Sequence, residues 1–423
     1  MTSTPDVAII GGGAVGVCIA SELVGRGASV VLLERGPELA AGCSHGNAGI
    51  VGASHVLPLA GPEAIRDGLR WLGRPDSPFA LKPRAAVLPW LTRFLAASAP
   101  PQVRRSGAVL RRLALQSAEL HAGLAASGLP TGFDRRGLLN VYATPAAFAA
   151  AAAAAPADTE DGLTAEVLDR DALLARFPRL DERLAGGVLY PGEAHCDPGA
   201  FVRAVGAEAV DRGLEVRTDV EVLGLRHERS RVSSVWTTQG EIRAGEVIVA
   251  AGAWSGQLVR DLPVTVPLEG GKGYHVEFAA NGHDPEVPTW FHEERVVVTP
   301  LPGRLRVAGT LELAGVDDGV DARRVEAIVR AARVGLRDFG TRTVERVWRG
   351  LRPCSPDGLP IVGRAPGLDN LVLATGHGMW GLQLAPLTGR LVGDLVAGLP
   401  EPGELQALSP ARFGGLRTRR RRA

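Results

Sequence analysis

The residues best suited to chemistry by type and spacing stand near the start of the chain. Val7-Ala-Ile-Ile runs into Gly11-Gly-Gly13-Ala14-Val15-Gly16, and Val30-Val-Leu-Leu leads to Glu34 and Arg35. Each part meets a need of a bound dinucleotide. Gly11 permits a tight turn, Gly13 lets the backbone approach a pyrophosphate, and Gly16 lets the next helix lie close to the strand. The amides of that helix, with Ala14 and Val15 in its first turn, point at the phosphates. Glu34 follows Gly16 by about 18 residues, where an acid holds the ribose hydroxyls of an adenosine. Its charge disfavours a phosphorylated ribose, with Arg35 beside it as the counter-argument. The bland alternative is a helix N-terminus that binds nothing.

The elements around these residues are those needed to position them. After the opening strand, residues 14–25 carry Val17, Ile19, Ala20, Leu23 and Val24 at helical spacing, and a second apolar strand follows. Residues 214–222 alternate as a strand and bring Val220 into the cofactor-binding set. A third apolar run, 246–251, enters Gly252-Ala-Trp254, and a fourth, 370–376, ends at Gly376 before the turn His377-Gly378-Met-Trp-Gly381 and a helix to about residue 397. Small residues at strand ends suit backbone passing close to a cofactor. Residues 58–101, crowded with Pro, Gly and Trp, predict loops and short helices over a site. Helices are expected over 103–127, over the alanine run ended by Pro156, and over 322–338; residues 263–309 alternate as antiparallel strands. The expected architecture is α/β with two domains. Segments 1–57, 186–262 and 345–415 make a discontinuous Rossmann-like domain, and 58–185 with 263–344 make an inserted substrate domain on an antiparallel or mixed sheet.

Composition narrows the function. With 423 residues, 45% hydrophobic and 22% charged, and a net charge of +1, the chain suits two globular domains and offers no field for nucleic acid. Four cysteines, Cys18, Cys43, Cys196 and Cys354, lack metal spacing, so neither a metal site nor a disulfide framework is expected. The first strand begins too early for a signal peptide and no run is long enough to span a bilayer, so a cytoplasmic location is expected. The arginine-rich segment 416–423 is expected to be a disordered basic tail, either solvated or in peripheral contact with an anionic membrane.

Taken together the motifs resemble the FAD-dependent D-amino-acid dehydrogenases of the D-amino-acid, glycine and sarcosine oxidase superfamily. The matching stretches are Gly11 to Gly16 with Glu34; Ser44-His45-Gly46-Asn47-Ala48-Gly49 followed by Ser54-His55; Tyr190-Pro-Gly-Glu-Ala-His195-Cys-Asp197-Pro198; Lys272-Gly273-Tyr274; Trp348-Arg-Gly350-Leu-Arg352-Pro353 through Gly358; and Thr375-Gly376-His377-Gly378. The resemblance implies FAD across two domains and hydride removal from the α-carbon of an amino acid to flavin N5. The imino acid formed hydrolyses to a 2-oxo acid, and electrons pass to a quinone or another acceptor. The alternatives are an oxygen-using oxidase of glycine, sarcosine or another N-substituted amino acid such as hydroxyproline, and a nonenzymatic dinucleotide-binding protein.

An amino-acid substrate needs a bidentate cation for its carboxylate. Arg352, in an apparent loop, is the candidate, with Arg349 its rival. Tyr274 donates to that carboxylate, lids the pocket, or is a sheet residue with a polar tip at the surface. His55 and His45 either face flavin and substrate or are structural, and the roles of Lys272, His195 and His377 stay open. In some relatives a histidine near residue 46 holds FAD covalently; Gly46 stands there, so noncovalent FAD is expected. The turn His377 to Gly381 offers free N–H groups for charge developing on the flavin. Asp197 is read as a helix cap and not a base, and no carboxylate is required as general base if the amine binds neutral.

Overall fold

The computed structural model describes residues 4–70, 77–160, 162–400 and 402–414. The expected basic tail, 416–423, lies outside the described residues. The apolar strand Val7–Ile10 is buried along its whole length, as a strand covered on both faces must be. It pairs in parallel with Val30–Leu33 and Glu246–Val249. Leu371–Thr375 and the antiparallel Ile361–Arg364 extend the sheet on one side, and Glu215–Arg217 closes the other. Helices Ala14–Gly25, Pro198–Asp211 and Ala385–Val396 pack into the core on one face, while Val222, Val232 and Val235 of a three-stranded sheet cover the other. The alternating run 214–222 is therefore two strands, broken at Asp219, which has φ of +55°. The alanine-rich helix Pro145–Glu160 continues through Pro156.

A nine-stranded mixed sheet forms the second layer. Its main path runs Val344–Cys354, Glu269–Ala279, Arg304–Leu313, Val296–Leu301, Thr289–Phe291, Leu138–Tyr142, Gly186–Tyr190 and Glu166–Asp169, with Phe79–Leu81 beside Arg304–Leu313. Gly186–Tyr190 and Val344–Cys354, grouped by sequence with the dinucleotide-binding segments, pair here with strands of segments 263–344 and 58–185. Strand alternation divides the sheet's residues. Tyr274, Val276 and Phe278 face the helix Ala322–Gly335, which is shorter than expected. Gly273, His275 and Glu277 face the first domain.

On that inner face Arg306, only 1% exposed, ties the layers together. Its Nε and Nη2 donate to Glu277 Oε1 at 3.0 and 2.6 Å, and its Nη1 donates to the carbonyls of His45 and Asn47 at 3.0 and 2.6 Å. Burial alone would raise the Glu277 carboxyl, but Arg306 and its neighbours outweigh this and hold it below its usual range. Arg304 donates to Glu277 and to Asp197, whose other oxygen caps the helix Pro198–Asp211.

Two predictions follow from this framework. Arg306→Ala strands a buried carboxylate and two carbonyls, so it should lower unfolding stability by about 3–5 kcal/mol in urea titration; a loss under about 1 kcal/mol would show that the pair does not hold the layers. Burial also depresses His121 and His377 to about 4. The unfolded value is about 6.5, so the unfolded chain binds more protons between these pH values. Stability should be full above about pH 6.5 and fall on acidification towards 4, by up to about 1.4 kcal/mol per pH unit for each histidine. His121→Gln should flatten the dependence of thermal midpoint on pH, and an unchanged slope would refute this.

Candidate active site

The glycine loop has the backbone geometry its sequence demands. Gly11 has φ of +114°, and a β-carbon at Gly16 would collide with the Gly11 carbonyl. Gly13 is the N-cap of Ala14–Gly25 and no side chain caps that helix from this position. The hydroxyl of Ser44 accepts the Ala14 N–H at 2.9 Å, and Val15 is half-buried in the first turn. Glu34 accepts N–H bonds from Gly12 and Gly36 at 2.7 and 2.8 Å, which fix its carboxylate beside the loop. The Arg35 guanidinium lies 3.7 Å from the ring centroid of Trp254. Val220 donates its N–H to the Glu34 carbonyl, and Gly252 has φ of +56°. A helix N-terminus whose N-cap is a glycine, a tight glycine turn and a fixed carboxylate fit a dinucleotide's phosphates and ribose.

The other glycine-rich segments converge beside that loop. Thr375 Oγ1 donates to the Gly252 carbonyl at 3.0 Å. Gly376 and Gly378 have φ of +74° and +55°, and the Gly378 N–H bonds the Pro353 carbonyl. His377 is buried with Nε2 at 3.0 Å from Thr388 Oγ1, while Gly381 is half-buried and the following helix starts at Ala385. Asn47 accepts the Gly49 N–H and donates to the Met379 carbonyl; Gly49 has φ of +86°, and Ala48 lines the cavity. The Gly46 site meets a side chain: a β-carbon there would enter the Trp348 ring.

The cavity between the layers has a volume of about 1690 Å³. Arg352 stands in its wall, within the strand Val344–Cys354 and not in a loop. Trp348, Gly350 and Arg352 alternate onto one face, and Gly273 lies opposite Gly350. Gly46 and Gly350 leave room for the Trp348 indole, which stacks on His275 at 5.1 Å and 14°. A β-carbon at Gly273 would occupy the place of the Arg352 guanidinium.

That guanidinium donates from Nη1 to the Thr310 carbonyl at 2.8 Å. Thr310 is a β-branched residue at φ of +63°, a strained conformation, and its buried hydroxyl has no partner among the described residues. Among the described residues no carboxylate pairs with Arg352; its ionisable neighbours are the thiols of Cys43 and Cys354. Burial lowers the pKa of its guanidinium without bringing a counter-ion. Arg349, its rival in sequence, pairs with Asp318 at 2.6 Å.

The remaining candidates have defined surroundings. The Tyr274 hydroxyl donates to Glu312 at 3.1 Å, on the opposite face of the strand from Gly273. Lys272 sits beside it, donating to Asp317 and the Gly319 carbonyl at 3.0 and 2.8 Å. Lys82, the chain's other lysine, joins Asp317 as well. His55 Nδ1 is 2.9 Å from Ser54 Oγ, which donates to Glu193, and its ring tilts over Trp290 at 4.8 Å. Burial lowers His55 to about 4, so it is neutral at pH 7. His45 Nε2 accepts from Arg346 at 2.8 Å. His195 is buried in a two-stranded ladder with Ile50. Among the described residues no group of three potential ligands could hold a metal.

Comparison with known proteins accords with this geometry. The family model described as FAD dependent oxidoreductase matches residues 6–395. A D-amino acid dehydrogenase of Paramagnetospirillum magneticum is 33% identical over 416 residues, covering 96% of this chain and 98% of the relative. A D-amino-acid oxidase of Bradyrhizobium diazoefficiens is 33% identical over 428 residues, covering 96% and 98%. The solved glycine oxidase of Geobacillus kaustophilus superposes with a TM-score of 0.78 at 26% identity, over 97% of this chain and 99% of that one. An L-proline dehydrogenase from P. horikoshii shares the fold at 18% identity, with a TM-score of 0.75 and 98% of each chain covered. With its glycine loop, its fixed acid and this match over nearly its full length, the chain belongs to the FAD dependent oxidoreductase family and uses FAD.

Proposed function

We propose that this chain oxidises a D-amino acid at its Cα–N bond, giving an imino acid that hydrolyses to a 2-oxo acid and ammonia. The electrons leave to a quinone or another acceptor. One observation carries this reading: a guanidinium in the cavity wall, aimed by a carbonyl and lacking a carboxylate partner among the described residues, is built for an anionic ligand. Arg352 holds the substrate carboxylate, and the Thr310 carbonyl keeps the guanidinium from turning away. Bound FAD accepts the electron pair. The amine reacts in its neutral form, its ammonium proton passing to water before the hydride leaves Cα. The preference for D-configured substrates is supported by the names of the two bacterial relatives.

The Bradyrhizobium relative's name favours a second reading, return of electrons to oxygen. A quinone acceptor would bring the chain to a bilayer, and the arginine-rich tail, 416–423, suits an anionic surface. No helix among the described residues is long and apolar enough to cross a membrane.

The purified protein should be yellow and release its FAD on denaturation. In the absence of oxygen, D-amino acids should bleach the flavin absorbance about a hundredfold faster than their L-enantiomers, because one carboxylate clamp can present the α-hydrogen of only one hand. A quinone analogue should restore the colour faster than air, with little peroxide. Peroxide formed in step with substrate loss would favour the oxidase, and no bleaching by any D-amino acid would overturn the proposed reaction.

A further inference from the structure

The inner face of the large sheet carries one row in register that starts from Trp348 and His275, four residues along the strand from Arg352. Ala308 pairs with Val297, Val297 with Trp290, and Trp290 with Asn140, and all four line the cavity. The first two residues are small or β-branched and carry no polar group, so the row offers a flat apolar floor. Trp290 and the tilted ring of His55 follow. The row ends at Asn140, which is 8% exposed; its amide hydrogen-bonds Tyr142 and its Oδ1 is buried with no partner among the described residues.

Two charged groups beside this row have partners, while Glu63, Arg66, Arg104 and Arg112 line the cavity from the helices Pro62–Arg70 and Pro100–Ala126. Arg295, whose field reaches both His55 and His292, pairs with Asp67 at 3.3 Å. Asp158 accepts from the Tyr190 hydroxyl at 2.8 Å and pairs with Arg111 at 3.4 Å. Burial keeps both histidines neutral at pH 7. A charged substrate side chain would lose water on this floor, where Arg295 and Asp158 are already paired. A long apolar one would gain, and a buried acceptor such as Asn140 Oδ1 rewards a donor at its tip.

The length of the row gives the same answer. Three ladder steps across the sheet, roughly 14 Å, and two residues along the strand, roughly 7 Å, separate Thr310, which aims Arg352, from Asn140, a diagonal of roughly 16 Å. With a hydrogen bond of about 3 Å at each end, roughly 10 Å is left for the ligand. A tyrosine-like amino acid, stretched from carboxylate to ring hydroxyl, comes nearest to that span. An alanine-sized substrate leaves the row empty.

We infer that the preferred substrate carries an aromatic side chain with a hydrogen-bond donor at its far end, of the hydroxyphenyl or indolyl kind, seated on Ala308, Val297 and Trp290 and read by Asn140. This rests on the proposed D-amino-acid reaction and adds its specificity. Sequence position did not mark Asn140 or Trp290, because strands distant in the chain bring them into one row.

The test compares D-tyrosine, D-phenylalanine, D-alanine, D-glutamate and D-lysine as reductants of the FAD-loaded full chain without oxygen. The kcat/KM should be highest for D-tyrosine, about fivefold above D-phenylalanine for one hydrogen bond and about a hundredfold above D-alanine for the buried ring. Asn140→Leu should bring the D-tyrosine to D-phenylalanine ratio near one, and Ala308→Phe, by filling the floor, should shift preference towards D-alanine. If Asn140→Leu does not fold, Asn140→Ser and Ala308→Phe read the same ratios. A best substrate that is small or charged, or a ratio unmoved by both variants, would overturn the inference. If no D-amino acid reduces FAD, the proposed reaction is what fails. The slot is then read by the flavin spectrum in titrations with 4-hydroxyphenylacetate and acetate: tighter binding of the aromatic acid, weakened by Asn140→Leu, upholds it, and equal binding overturns it.

Discussion

A guanidinium set into a cavity wall with a backbone carbonyl as its protein acceptor is an unfinished interaction. Desolvating a cation costs several kcal/mol unless an anion or a full set of acceptors replaces the water. Arg352 has the Thr310 carbonyl and no carboxylate among the described residues, and a substrate carboxylate is the partner we propose for it. Much of the surrounding sequence serves this one group. Gly273 vacates the volume that the guanidinium fills, Gly350 and Gly46 admit the neighbouring indole, and Thr310 adopts a strained backbone to present its carbonyl.

Arg306 shows the opposite solution on the same sheet. It too is buried, but Glu277 and two carbonyls satisfy it, so it binds the layers and not a ligand. The carbonyls it holds belong to His45 and Asn47, in the segment that continues to Gly49 beside the dinucleotide loop. The nine-stranded sheet and the dinucleotide-loop elements are thereby held in fixed relation, which a transfer of electrons between two bound molecules requires. The two lysines do similar structural work on the outer side, both meeting Asp317.

The dinucleotide end of the site was legible because its demands are local. Gly11, Gly13, Gly16 and Glu34 answer to one strand-turn-helix unit, and their spacing survives into the fold unchanged. Arg352 was legible by chemistry but not by setting: Gly350 and Pro353 suggested a loop, whereas long-range pairing with Glu269–Ala279 makes the segment a strand. Tyr274 and Lys272 could not be oriented from sequence, since nothing local tells which face of a strand meets a helix about fifty residues on. Pro156 failed to stop its helix because proline's cost is a local preference that surrounding structure overrode. Thr310, Trp348 and Asn140 gained their meaning only when separate strands came together.

The most direct measurement is the rate at which a D-amino acid reduces the FAD of the Arg352→Ala protein in the absence of oxygen, followed over a range of substrate concentrations. Loss of a paired guanidinium should raise the half-saturating concentration about a hundredfold or more, with FAD still bound. A half-saturating concentration equal to that of the unaltered protein would show that the carboxylate is held elsewhere and would contradict the account.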